Sequence, residues 1–147
     1  MTKQSGFTLV ETIITLGIIF ILIGLGMFFS FGFYESYLLE TEKNVLASLL
    51  RKARAQSLNN LNRAKHGVYL DFPAGRYVVF EGSDYLSRDQ ALDEVIFQGS
   101  KTIQLSGSQE LVFDQLTGNL PQDKEIFLAN KNQTITIVVN QQGGINY

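Results

Sequence analysis

An apolar run of 23 residues without a formal charge, Thr12 to Tyr34, limits what this chain can fold into. As a helix the run measures about 34 Å, at 1.5 Å per residue, so it can cross the roughly 30 Å hydrocarbon core of a bilayer. A single carboxylate, that of Glu11, stands immediately before it. The sequence therefore predicts a membrane helix with one acidic residue at its start.

The residues before this run form a short motif. A six-residue leader containing Lys3 ends in Gly6, and Phe7 to Glu11 reads FTLVE. A short basic leader ending in glycine, then FTLVE and an apolar helix, resembles the type III signal of type IV prepilins and pseudopilins. An ordinary secretory signal is cut after its apolar region and loses that region, whereas here the glycine precedes the apolar region.

This resemblance implies a defined processing step. In that family a membrane peptidase cuts after the glycine and methylates the new amino terminus, which here implies cleavage between Gly6 and Phe7 and N-methylation of Phe7. Glu11 is then the fifth residue of the mature chain, a position at which the family carries a glutamate. The implied partners are the prepilin peptidase, other pilins or pseudopilins in a filament, an inner-membrane assembly platform, and membrane lipid before assembly.

The role of Glu11 also has a physical basis. An ionised carboxylate costs roughly 2.5 to 3.5 kcal/mol at the centre of a membrane helix unless something pairs with it. If cleavage leaves a charged amine on Phe7, Glu11 of a neighbouring subunit can neutralise that amine as helices pack side by side in low dielectric. The alternative is a signal anchor whose glutamate lies among the lipid headgroups and pairs with nothing.

The helix is predicted to continue beyond Tyr34. Leucine, valine and alanine recur at three- and four-residue spacing as far as Ala53, and Glu42 falls in the same pattern. The first stop signal is Asn59-Asn60. The second half of the helix is therefore amphipathic. The predicted segments are a leader at 1–6, a transmembrane and assembly half of the helix at 7–34, an amphipathic half at 35–62, and a β-rich globular domain at 63–147.

After Gly67 the hydrophobic period changes to two, which predicts strands. Short turns at Pro73 to Gly75 and Asn130 to Gln133 predict two hairpins. The fold class is therefore α+β, in which the amphipathic half of the long helix covers one face of an antiparallel sheet, as in the pilin fold. The predicted strands are Val68 to Phe72, Arg76 to Glu81, Glu94 to Gln98, Thr102 to Leu105, Glu110 to Asp114, Glu125 to Ala129 and Thr134 to Asn140.

Several later segments resemble one branch of the family, the H-type minor pseudopilins of type II secretion and related minor pilins. The helix ends in RKARAQSLNN, from Arg51 to Asn60, and the segments GVYLDF, GRYVVFEG and FDQLTGN follow in the order seen in that branch.

The composition offers little for catalysis or cofactor binding. The chain has no cysteine, one histidine, no glycine-rich phosphate loop and no helical histidine pair for zinc, so no catalytic residue, metal or cofactor is predicted. His66 is interpreted as an exposed residue of the turn between helix and sheet. The acidic segment from Asp84 to Glu94 is interpreted as a solvated loop rather than a calcium site, since its spacing matches no EF-hand. A helical turn is predicted within it, at Gln90 to Leu92.

Three classes of function remain open at this point. The first is a structural filament subunit, held in the inner membrane with its leader in the cytoplasm and then placed in a periplasmic or cell-surface filament. The second is a DNA-binding minor pilin of a competence pilus. Residues 66–147 carry ten acidic and five basic side chains, which argues against nucleic acid as a partner. The third, a membrane-anchored enzyme, has no catalytic constellation to support it.

Overall fold

The computed structural model describes residues 6–147, without the side chains of residues 28–31, so residues 1–5 of the predicted leader lie outside the described part. One long helix, α1 (Leu9–Leu58), precedes the strands. The described strands are β1 (His66–Asp71), β2 (Arg76–Glu81), β3 (Glu94–Phe97), β4 (Gln104–Gly107), β5 (Glu110–Phe113), β6 (Lys124–Ala129), β7 (Thr134–Val139) and β8 (Ile145–Asn146). This arrangement confirms the predicted α+β class and matches the pilin fold.

The chain forms two compact units, one ending at Ser36 and one comprising Tyr37–Tyr147. Helix α1 contributes to both, and it ends at Leu58, one residue before the predicted stop at Asn59-Asn60. A 3-10 turn at Leu61–Arg63 leads from the helix to β1.

The strands form two four-stranded sheets, which corrects the expectation of a single sheet. Their orders are β3-β2-β1-β5 and β4-β6-β7-β8, and every pairing is antiparallel. Only two residues separate β4 from β5, so the chain bends there from one sheet into the other. Gly107 permits this bend, because its φ is 101° and a Cβ on it would lie 2.5 Å from the carbonyl oxygen of Glu125. Both predicted hairpins, β1-β2 and β6-β7, are confirmed.

The core of the second unit consists of side chains from the second half of α1 and from both sheets, whereas the sequence predicts a helix that packs on one sheet. Helix residues such as Leu46 and Leu50 are fully buried against side chains from the first sheet and the second. The buried strand residues in this cluster are Val68, Leu70, Tyr77, Val79, Leu111, Phe113, Ile126, Leu128, Ile137 and Val139. Removing this apolar surface from water is the main stabilisation of the unit.

The other face of the first sheet is also covered, by the loop between β2 and β3. Tyr85 of that loop stacks on Tyr69, with ring centroids 3.7 Å apart, and meets Phe80 edge to face at 5.7 Å. The Phe80 ring packs over Gly67, where an added Cβ would lie 2.7 Å from its Cζ. The predicted helical turn within the loop is confirmed as a 3-10 turn at Gln90–Leu92.

Some strand limits differ from the prediction. β1 begins at His66 rather than Val68, and β4 lies two residues later than expected. β8 was not predicted at all, because two residues, Ile145–Asn146, are too short for a periodic signal.

Candidate assembly site at the amino-terminal helix

Helix α1 begins with a side-chain cap. The Oγ1 of Thr8 accepts a hydrogen bond from the backbone N–H of Glu11 at 3.3 Å, and the Thr8 carbonyl accepts one from the N–H of Thr12 at 3.2 Å. A threonine followed three residues later by a glutamate is the capping-box pattern. The sequence carries this signal before an apolar run, but the cap was not predicted from it.

The cap fixes the place of Glu11 in the fold. The residue lies in the first turn of α1, where the partial positive charge of the helix terminus favours an acidic side chain. Its side chain is exposed in the described structure. The carboxylate is therefore held at the start of the apolar helix, four residues after Phe7.

Gly6 and Phe7, the predicted cleavage pair, both precede the helix and are exposed. The Phe7 side chain is 85% exposed. A Cβ built on Gly6 would meet no described atom within 4 Å, and the backbone there is not left-handed. The described fold thus gives no packing or conformational reason for a glycine at this position.

The apolar side chains of the first unit are uncovered. Every large apolar residue from Phe7 to Met27 is exposed, the least exposed being Ile19 at 44%. This helix is the one described helix long and apolar enough to cross a membrane. A soluble monomer rarely exposes a contiguous apolar patch beyond a few hundred Å². We therefore expect lipid or other helices to cover this surface.

The second unit contains a buried polar cluster centred on Glu42. Its carboxylate, on α1, accepts hydrogen bonds from the Tyr77 hydroxyl at 2.6 Å and from the Gly99 N–H at 3.0 Å, while Glu42 is 3% exposed. Burial, and then the hydrogen bond to Glu42, raise the pKa of Tyr77. The cluster joins the helix to β2 and to the loop after β3. The signal for it was an acidic residue within the apolar pattern of the helix.

His66 lies in a different environment from the one expected. It is the first residue of β1 and only 3% exposed, so the interpretation as an exposed turn residue is wrong. The backbone N–H of His66 donates to Ser57 Oγ at 2.9 Å, and the Ser57 hydroxyl in turn donates to the Phe113 carbonyl at 3.0 Å. These bonds tie the end of α1 to the start of β1 and draw His66 inside.

The carboxylates of the acidic loop have separate structural roles. Asp84 accepts from the hydroxyl and N–H of Ser87 and from the N–H of Leu86, and these bonds lower the pKa of Asp84. Asp93 accepts two hydrogen bonds from Arg88. Of the other two acidic residues, Asp89 caps the 3-10 turn and Glu94 pairs with Lys52. Among the described residues, no group of three or more His, Cys, Asp or Glu is arranged to hold a metal ion.

Two of the five basic residues after His66 are already paired within the domain. Arg76 pairs with Asp71 at 2.8 Å, and Arg88 pairs with Asp93 at 2.8 Å. The Arg88 guanidinium also lies 3.6 Å from the ring centroid of Tyr85. Both arginines therefore contact acidic or aromatic side chains of their own unit.

The capped, exposed start of α1 lies in the segment that is similar to a known family. A family description named the prokaryotic N-terminal methylation motif matches residues 1–27. No curated protein and no solved structure matches the chain.

The methylation motif spans the leader, Glu11 and the apolar helix as far as Met27. It supports a processed subunit of the type IV pilin or pseudopilin kind, a class of structural and generally non-enzymatic proteins. It also implies processing by a prepilin peptidase and assembly with other pilins. Together with the exposed apolar helix, the motif is consistent with membrane anchoring.

Proposed function

We propose that this chain is a structural subunit of a type IV pilus or a type II secretion pseudopilus. Prepilin peptidase cuts between Gly6 and Phe7 and the new amino terminus of Phe7 is methylated. Before assembly, the mature subunit is a single-pass protein of the inner membrane, with its new amino terminus toward the cytoplasm. It then enters a periplasmic or cell-surface filament by way of the assembly platform, through segment 7–34 of its helix.

The observation that carries this proposal is the uncovered apolar surface that follows the methylation motif. Its side chains, from Phe7 to Met27, are exposed over the whole circumference of the helix. A helix that is apolar all round is stable inside a bilayer or among other helices. Moving from lipid into a filament exchanges one apolar environment for another, so assembly requires close packing and polar pairing for its specificity.

Glu11 supplies the polar pairing in this proposal. In a filament, the carboxylate of one subunit neutralises the amine of Phe7 on its neighbour, and each subunit then contributes one donor and one acceptor to a staggered stack. On insertion scales an unpaired charge costs roughly 2.5 to 3.5 kcal/mol at the centre of a membrane helix. A register that pairs both charges is therefore favoured over one that pairs neither, which sets the stagger between subunits.

Within this class we propose a minor subunit of the H type. The support is the sequence order of the segments that begin at Arg51 and continue through GVYLDF and FDQLTGN. These segments lie at the end of α1, in β1, and from the end of β5 into the turn that follows.

Intact-protein mass spectrometry from cells that carry the native prepilin peptidase tests the proposal. We expect the loss of Met1 to Gly6 and the addition of one methyl group on Phe7, both absent when the peptidase gene is deleted. An unprocessed chain in peptidase-positive cells contradicts the proposal. A processed chain that never co-purifies with a filament retains the cleavage step and contradicts the structural role.

A further inference from the structure

Leu86 lies in the loop between β2 and β3, residues 82–93, and its side chain is 94% exposed. No other large apolar side chain of the described residues is as exposed. A single exposed leucine is common on a folded protein and needs no explanation by itself. Leu86 is of interest because of the way in which its loop is held.

The backbone on both sides of Leu86 is fixed by contacts. Tyr85, which precedes it, stacks on Tyr69 of β1 with ring centroids 3.7 Å apart, and the Leu86 N–H donates to Asp84 Oδ1 at 3.0 Å. Arg88 Nη1 donates to the Tyr85 carbonyl at 2.5 Å, and its guanidinium lies 3.6 Å from the Tyr85 ring centroid. A side chain on a fixed loop loses less conformational freedom on binding than one on a mobile loop. The loop therefore presents Leu86 in a form that is ready to bind.

A cleft of about 550 Å³ opens beside the turn between β1 and β2. Pockets of this volume accommodate drug-sized molecules, so a leucine side chain fits inside it. Lys101 is the one charged residue of its lining, and it forms no ion pair with a described residue. The apolar side chains that line the cleft are those of Phe72, Pro73, Ala74, Ile103 and Leu105.

The loop and the cleft carry opposite charges. Residues 82–93 contain three aspartates and one arginine, a net charge of −2. The cleft is lined by the exposed Lys101 and by no acidic residue. Complementary charges favour one partner and one register over others. The cleft therefore suits an apolar side chain that is carried on an acidic segment, which is what the loop provides.

The loop and the cleft belong to opposite ends of the first sheet. The loop begins after Glu81, which is opposite His66 at the end where His66 is bonded to Ser57 of α1. The cleft lies beside Gly99, whose N–H donates to Glu42 of α1. These two helix residues are fifteen positions apart, which is about 22 Å at 1.5 Å per residue. A second copy displaced along α1 can thus bring its loop to the cleft of the first, with both copies facing the same way.

We propose that Leu86 of one copy of this chain inserts into the cleft of a second copy, with the acidic loop against Lys101. The contact is head-to-tail, because the loop of each copy meets the cleft of the next. A head-to-tail contact that does not close into a ring produces an open filament. The inference rests on the proposed filament function and adds to it a contact between globular domains and the identity of the neighbour, a copy of the same chain.

Cysteine cross-linking in intact cells tests this contact. The chain has no cysteine, so an introduced pair reacts without competition from its own thiols. Ser87→Cys places an exposed thiol next to Leu86, and Ala74→Cys places one in the cleft. Cells that carry the native prepilin peptidase and assembly platform are treated with a short, membrane-permeable bismaleimide. On an immunoblot we expect a ladder of dimers, trimers and larger species from the double variant, and no ladder from either single variant.

Further changes in the double-cysteine chain test the two parts of the contact. We expect Leu86→Ala to lower the initial rate of cross-linking roughly tenfold, because it removes the inserted side chain. Leu116→Ala is the matched control, since Leu116 is 63% exposed and lies outside the cleft lining, and it should leave the rate unchanged. Lys101→Glu should lower the rate about threefold, as expected for a surface charge pair. Lys131→Glu, an exposed lysine outside the cleft, should not.

The filament content of the same cells, measured after shearing, separates this inference from the proposed function. Filaments without a ladder overturn the inference and retain the filament role, and the absence of both contradicts both. A ladder without filaments supports the contact and contradicts the filament role. Cross-linking that stops at dimers, or that joins this chain only to another protein, overturns the head-to-tail contact between copies. An unchanged rate in Leu86→Ala overturns the role of Leu86.

Discussion

The hydroxyl of Tyr77 on β2 donates a 2.6 Å hydrogen bond to the carboxylate of Glu42 on α1, and both residues are buried. Among the described residues, no basic group forms an ion pair with this carboxylate, so neutral donors satisfy it. The second donor, the Gly99 N–H, comes from the loop that leads to the second sheet. A buried acid on the helix therefore fixes the relative positions of α1, β2 and this loop.

Replacing Tyr77 with phenylalanine removes one of the donors to Glu42 and leaves the ring in place. Because the carboxylate then stays buried with one partner fewer, we expect the free energy of unfolding to fall by about 1.5 to 3 kcal/mol. Urea unfolding of the full-length protein in detergent measures this. The matched control is Tyr147→Phe, which removes an exposed hydroxyl bonded to Arg51 at 2.8 Å and should change stability by less than about 1 kcal/mol. Equal losses in the two variants would contradict a special role for Glu42.

The raised pKa of Tyr77 predicts a loss of stability at high pH. Below about pH 10 the tyrosine is protonated in both the folded and the unfolded chain. Above it, the unfolded chain releases the proton while the folded chain keeps it, because burial and Glu42 raise the folded-state pKa. The free energy of unfolding should then fall by up to about 1.4 kcal/mol per pH unit from this group. Comparing the wild type with Tyr77→Phe from pH 9 to 11.5 isolates it, and parallel pH profiles would argue against the prediction.

Gly67 is expected to be intolerant of a side chain. A Cβ at this position would lie 2.7 Å from Phe80 Cζ and 2.8 Å from the Leu111 carbonyl oxygen, so the ring must move and its contact with Tyr85 must loosen. We expect Gly67→Ala to lower the free energy of unfolding by about 1 to 3 kcal/mol, the usual effect of overpacking. Gly67→Ala combined with Phe80→Leu should recover part of that loss, as thermal unfolding of both variants would show. An unchanged melting temperature in Gly67→Ala would mean that the ring has room to shift.

Hydrophobic periodicity was sufficient to predict the long helix and most of the strands. The repeat of apolar residues at three- and four-residue spacing located the buried face of α1, and the short turns located two hairpins. Periodicity did not reveal the division into two sheets. That division depends on a bend at Gly107, where a glycine with positive φ redirects the chain between β4 and β5. The alternation of apolar and polar residues along a strand is the same before and after such a bend, so it does not show which sheet the strand joins.

The polar features were harder to predict, since each depends on contacts between distant residues. His66 lies between Lys65 and Gly67 in the sequence and was therefore expected at the surface, but the hydrogen bond from its backbone N–H to Ser57 Oγ, nine residues earlier, places it inside. The partners of Glu42 are 35 and 57 residues away. The candidate processing and assembly residues Gly6, Phe7 and Glu11, by contrast, form a local motif, and the sequence alone could nominate them.

Processing should depend on the size of the residue at position 6. A bulky side chain in Gly6→Leu is expected to block cleavage before Phe7, because in the proposed processing step the peptidase cuts after a glycine. Mass spectrometry of the full-length protein from peptidase-positive cells should find it uncut and unmethylated. Gly17→Leu is the matched control, because a Cβ at Gly17 would also meet no described atom within 4 Å. This variant should be processed normally. A mature amino terminus at Phe7 in Gly6→Leu would show that the cut site is wrongly assigned.

Glu11 separates processing from assembly. Alanine is a strong helix former, and the Thr8 cap uses the backbone N–H of residue 11. We therefore expect Glu11→Ala to be inserted and cleaved normally. In a filament, however, it leaves the amine of a neighbouring Phe7 without a counter-charge. Because that amine then has no counter-charge among apolar helices, incorporation should fall by at least about tenfold, which corresponds to about 1.4 kcal/mol. Quantitative immunoblots of sheared filaments and membranes measure this. Glu40→Ala, which removes an exposed carboxylate from the same helix, should assemble like the wild type. Wild-type filament content in Glu11→Ala, with cleavage intact, would exclude the pairing and leave apolar packing as the force that holds subunits together.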